Sequence, residues 1–199
     1  MTMSRLLLIT STILLALLVA NTLWIFRPGQ IAAAKQASAA EVELESAIGS
    51  WQLASLEPEQ YALIFFGYHR CPDICPLTLA HLGRAYQQLP IDLQDRLQVV
   101  MVSVDPRLDD WQELFAYPPL FHPSFKAVAG ETEQVDQLVA HFEAFYRVVD
   151  LPSSGLGYAI DHSPGLYLTN HRAERLLTLV SDDSHYLLTE LKTFFGDQP

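Results

Sequence analysis

Only nine glycines and twelve prolines are spread over 199 residues, which excludes collagen-like and low-complexity classes. Two cysteines are too few for a disulfide framework, and too few for a four-thiolate structural zinc site. Positive charge is also in short supply, with 12 Lys and Arg against 23 Asp and Glu. Three of those bases, Arg5, Arg27 and Lys35, lie in the first 40 residues, where no acid occurs. The remainder therefore holds nine bases against 23 acids, a net charge of −14. Such a domain repels phosphate backbones, so nucleic acid is excluded as a partner.

Half of the residues are hydrophobic and 11% are aromatic, enough apolar surface to offset the entropy of ordering one domain. The longest apolar run comes first. From Leu6 to Phe26 the chain reads LLLITSTILLALLVANTLWIF, with no ionisable side chain and with Arg5 and Arg27 as brackets. At ~1.5 Å per residue this makes a helix of roughly 30 Å, the hydrocarbon thickness of a bilayer. Trp24 suits an interfacial position. Ala32, Ala33 and Ala34, with Ala37 to Ala40, offer small-residue cleavage sites. The apolar core, however, exceeds the ~7–15 residues of a secretory signal, which favours an uncleaved transmembrane helix. The expected division is a membrane anchor over residues 1–27, a tether over 28–50 rich in Ala, Gln and Glu, and a globular domain over 51–199.

Within that domain Tyr61 to Gly67 (YALIFFG) and Leu97 to Val104 (LQVVMVSV) have the pattern of strands buried on both faces. Between them Leu79, Leu82, Tyr86 and Leu89 recur at helical spacing, so the three form a parallel crossover unit. A helix over Glu131 to Phe145, a short strand at Tyr146 to Val149, a hairpin joining Leu166–Thr169 to Leu176–Val180, and a closing helix over His185 to Phe195 complete the order. This is a mixed α/β sheet flanked by helices, the layout of a thioredoxin-like fold. Phe65, Phe66, Tyr167 and Phe194 are expected in the core, and Asp105 and Asp109, at a strand end, as caps of the next helix.

Both cysteines, Cys71 and Cys75, stand in CPDICP, with three residues between them, where the first strand gives way to a helix. Ligands bind at such edges, and a helix N-terminus stabilises a thiolate. A disulfide closing so small a loop restricts the unfolded chain little and is a poor staple. Two uses remain open: a dithiol/disulfide redox pair, usually carried by C-x-x-C, and a site for a soft metal ion, copper(I) above all. Three-coordinate copper(I) needs one more donor from His69, His81, His122, His141, His162, His171 or His185. His162 stands out in YAIDHSPG, where an Asp-His-Ser turn precedes a strand and Asp161 is placed to orient the ring.

Taken in order and spacing, FFGYHRCPDICP, SVDP and DHSPGLYL resemble the SCO/SenC family of copper-binding proteins that assist cytochrome c oxidase assembly. The resemblance runs from about Tyr61 to the C-terminus. It implies a thioredoxin-like domain that holds copper through Cys71, Cys75 and His162. It also implies a tether placing that domain on the periplasmic face of the inner membrane, with oxidase subunit II as partner. Copper is delivered to the binuclear centre of that subunit, or the cysteines of that centre are reduced by Cys71 and Cys75 acting as a thiol-disulfide oxidoreductase. The chain departs from the family's usual wording at His69 and Arg70, and again over Arg107, Leu108 and Asp109.

Overall fold

The computed structural model describes residues 38–107, 110–180 and 183–196. Seven strands form one sheet in the order β2-β1-β5-β4-β3-β8-β9. They are β1 (Leu44–Ser46), β2 (Gly49–Trp51), β3 (Tyr61–Gly67), β4 (Leu97–Ser103), β5 (Lys126–Ala129), β8 (Leu166–Thr169) and β9 (Arg175–Leu179). A separate two-stranded ladder pairs β6 (Tyr146–Asp150) with β7 (Tyr158–His162). The helices are α1 (Ile74–Tyr86), α2 (Ile91–Arg96), α3 (Trp111–Ala116), α4 (Thr132–His141) and α5 (Ser184–Gly196).

The centre of the sheet is parallel, with Tyr61 opposite Leu97 through Gly67 opposite Ser103, and Val100 opposite Lys126 on the far side of β4. Every residue of β3 is buried because it has a layer on each face. Leu63 and Phe65 point to one side, where they meet Leu79 and Leu82 of α1 and Leu187 and Leu191 of α5. Ala62, Ile64 and Phe66 point to the other, where they meet Val135 and Leu138 of α4 and Ile160 of β7. Alternation along a pleated strand thus feeds two cores at once. Phe65, Phe66 and Tyr167 are buried as expected, and Phe194 is half-buried against Tyr61.

The folded domain starts earlier than the sequence pattern indicates. Ala39, Ala40, Val42 and Leu44 are buried, and β1 pairs antiparallel with β5, so residues 38–50 belong to the domain rather than to a tether. These strands are three residues long, too short to show any periodicity. The helix after the cysteines runs from Ile74, so Cys75 is helical while Cys71 lies in the turn before it. The two are therefore not an i, i+4 pair on one helix. The membrane helix expected over residues 1–27 lies outside the described residues, and among those described no helix is long and apolar enough to cross a bilayer.

Candidate metal centre

Strand β3 ends at Gly67, and the chain turns at once, with the Cys71 amide donating to the Tyr68 carbonyl at 3.1 Å. Asp73 is the N-cap of α1, which places Cys75 in its first turn with Pro76 just after it, where a missing N–H costs nothing. Close approach of the α1 start to the strand end is possible because residue 67 is glycine. A β-carbon there would lie 2.8 Å from Cys75 Sγ.

The third component arrives from the β6–β7 ladder. His162 is the last residue of β7, and its Nε2 lies 3.5 Å from Cys75 Sγ. One donor atom from each of Cys71, Cys75 and His162 can be chosen so that all lie within 4.8 Å of one another. No other group of three such residues, among those described, is close enough to share an ion. Both cysteines are free thiols, Cys75 at 1% exposure and Cys71 at 9%. His162 Nδ1 lies 3.1 Å from the Ser163 carbonyl oxygen, which can only accept. With Nδ1 directed at that carbonyl, Nε2 is the ring nitrogen that faces the sulfurs.

The two sulfurs are electrostatically unlike. A hydrogen bond from the Cys75 thiol is the main influence on Cys71 and holds it well below the ordinary thiol range, against an opposing effect of burial; a hydrogen bond from His162 and the amides of Cys75 and Asp73 add to the lowering. Cys75 moves upward for the reciprocal reason, joined by burial and by the negative charge on Cys71. The resting pair is thus one thiolate and one thiol. Two phenols feel that charge. Tyr117 is pushed up to about 12, first by burial and then by both cysteines, and Tyr68 is raised by burial with Cys71 adding to it.

Several side chains differ from their sequence-based roles. Asp161 does not orient His162; it points outward to an ion pair with Arg147 at 2.6 Å, because alternate residues of β7 face opposite sides. The ring is oriented by the Ser163 carbonyl instead. Asp105 caps no helix. It is buried, accepts from the Tyr158 hydroxyl at 2.8 Å and from the Arg107 amide at 3.0 Å, and so ties β7 to the end of β4. The cap of α3 is Asp110, which receives Gln112 N at 2.8 Å and Glu113 N at 3.4 Å, while Asp109 lies outside the described residues. Tyr68 and Tyr158 stand inside the two motifs, but nothing in the pattern assigns them a role. The Tyr68 ring stands edge-on to His162 with centroids 6.2 Å apart, and its hydroxyl accepts from Ile160 N at 3.5 Å. Three of the other imidazoles have partners elsewhere: His69 lies 3.5 Å from Glu113, His122 bonds Ser124, and His141 meets the Ala173 carbonyl.

Two cysteine sulfurs and an imidazole nitrogen, with no carboxylate among the donors and no fourth side chain in the group, fit a soft three-coordinate ion. A structural zinc site would require a fourth ligand.

A family model described as SCO1/SenC matches residues 55–191. The SCO2-like protein of Rickettsia prowazekii is 31% identical over 132 residues, covering 65% of this chain and 63% of its own length. The human mitochondrial SCO2 homolog is 34% identical over 112 residues, 56% of this chain and 42% of that protein. The chain spans less than two thirds of the length of these relatives. Among solved structures, apo Sco1 of Thermus thermophilus superposes with a TM-score of 0.66 at 34% identity, over 76% of this chain and 88% of that one. Yeast Sco1, solved with copper bound, shares the fold with a TM-score of 0.68 at 24% identity, over 79% and 87% of the two chains.

Proposed function

The chain belongs to the SCO1/SenC family, and from that premise we propose that it is a membrane-tethered copper carrier for the assembly of cytochrome c oxidase. The observation that carries this reading is the convergence of Cys71, Cys75 and His162 within 4.8 Å. Copper(I) is the cargo. The Cys71 thiolate is ready to receive it, the Cys75 thiol would give up its proton on binding, and His162 presents Nε2 beside the pair as the third donor. The partner of this reading is the binuclear copper site of oxidase subunit II. The anchor over residues 1–27 would hold the domain at the outer face of the inner membrane.

The test is a copper(I) titration of the reduced protein against a chromogenic chelator. One ion per chain is expected. Cys71→Ser, Cys75→Ser and His162→Ala should each weaken binding by more than the roughly 10–100-fold that altering a neighbour of a ligand costs. Unchanged affinity in His162→Ala would remove the ring from the site.

A second reading rests on the thiolate-thiol asymmetry. The Cys71 thiolate attacks a partner disulfide, one partner sulfur leaves as thiolate, and a mixed disulfide forms. Cys75, on losing its proton, then attacks the Cys71 sulfur and releases the second partner thiol, so two electrons pass to the partner and this pair ends oxidised. Reduction of a disulfide-bonded copper-site peptide by the reduced protein, abolished in Cys75→Ser but intact in His162→Ala, is the result that would favour it.

A further inference from the structure

The deepest atom of the three-donor group is Cys75 Sγ, on a residue only 1% exposed and placed where α1 begins beside the end of β3. Its nearest wall on that side is residue 67. A β-carbon there would stand 2.8 Å from Sγ and 3.1 Å from the Phe65 ring, wedged between the two. Real β-carbons do not approach sulfur so closely, so a side chain at 67 must displace something. The backbone of residue 67 cannot yield easily. It is inside the parallel ladder opposite Ser103, and its carbonyl accepts the Val104 amide at 3.0 Å. Phe65 is 3% exposed, and its large ring is packed into the other core. The sulfur is the movable partner. A change of staggered rotamer about χ1 carries a cysteine sulfur by about 3 Å, enough to take it out of a group whose members lie within 4.8 Å.

We infer that Gly67 is a positioning residue of the metal centre: the absence of a side chain at the end of β3 is the seat of the Cys75 sulfur and sets its distance from Cys71 and His162. The glycine is not required by backbone conformation, since the positive-φ glycines of the described chain are Gly49 and Gly157. What residue 67 supplies is volume. The inference rests on the copper reading for its consequence, while the packing relation holds without any ion.

Gly67→Ala tests both parts. In the reduced protein carrying copper(I), affinity should fall at least tenfold, and X-ray absorption at the copper edge should show one sulfur neighbour lost. Gly130→Ala is the matched control, because a β-carbon there would lie 2.5 Å from Leu44 Cδ2, a comparable clash remote from the sulfurs. It should lower thermal stability and leave the copper environment unchanged. The metal-free arm is a double-mutant cycle. Gly67→Ala should lower Tm by roughly 2–10 °C in the parent chain, and by far less in a Cys75→Ala background, where the vacated space accommodates the methyl group. Parent copper affinity with two sulfur neighbours in folded Gly67→Ala overturns the inference, as do equal changes of Tm in both backgrounds. Should the parent chain itself fail to hold copper through two sulfurs, the copper reading falls, and the cycle still decides whether Gly67 seats the sulfur.

Discussion

At the scale of single residues, the unlike pair Cys71 and Cys75 has the most direct consequence. Only the thiolate reacts with an alkylating agent. A free cysteine loses about tenfold in alkylation rate for each pH unit below ~8.5. Cys71 stays ionised below that range because its pKa is depressed, so in the copper-free protein its iodoacetamide reaction should remain nearly constant from pH 8 to pH 6. Cys75, raised and buried, should react only after unfolding. Peptide mapping of the labelled protein distinguishes the two, and a rate for Cys71 that falls tenfold per unit through this window contradicts the assignment. The cysteines were legible because two thiols beside a strand end announce themselves in CPDICP. His162 was legible from its setting and from the family resemblance. Asp161 misled because adjacency in sequence places two strand residues on opposite faces. The bond between Tyr158 and Asp105 could not be foreseen: a contact across 53 positions leaves no trace in local pattern.

At the scale of elements, the N-terminal strands make the sharpest difference between sequence and structure. Leu44 is 1% and Val42 4% exposed, and β1 covers the flank of β5 with backbone bonds at Glu45 and Ser46. A chain starting at Trp51 would lose both side chains from the core and leave β5 as a bare edge. At ~1.5–3 kcal/mol for each large apolar side chain, it should be less stable than one starting at Ala37 by about 3–6 kcal/mol, measured by urea unfolding. Equal midpoints would show that these strands add nothing. β3 and β4 were readable since burial on both faces writes an unbroken apolar run, and the β8–β9 hairpin since β-rich segments flank a polar turn. β7 was not, because Tyr158 to His162 alternates buried and exposed over only five residues and carries charge at Asp161 and a ring at its end.

At the scale of the whole molecule, the first 27 residues and the rest have opposite physical characters. One is uncharged over 21 residues between two arginines, the other strongly acidic. With that segment present, the chain should remain in the pellet after membranes are washed with alkaline carbonate, and a chain starting at Ala37 should be found in the supernatant. Release of the full chain by carbonate would show that the apolar run does not span the bilayer.

The graded burial of the three donors also gives the centre a direction. His162 is half-buried at the end of a ladder that shares no strand pairing with the main sheet, Cys71 is slightly exposed in a turn, and Cys75 is sealed within the start of α1. Exposure falls from the imidazole to the outer sulfur and is almost nil at the inner one. On the copper reading, exchange with a recipient would begin at the outer contacts and end at Cys75, so the ion would stay held by one partner throughout.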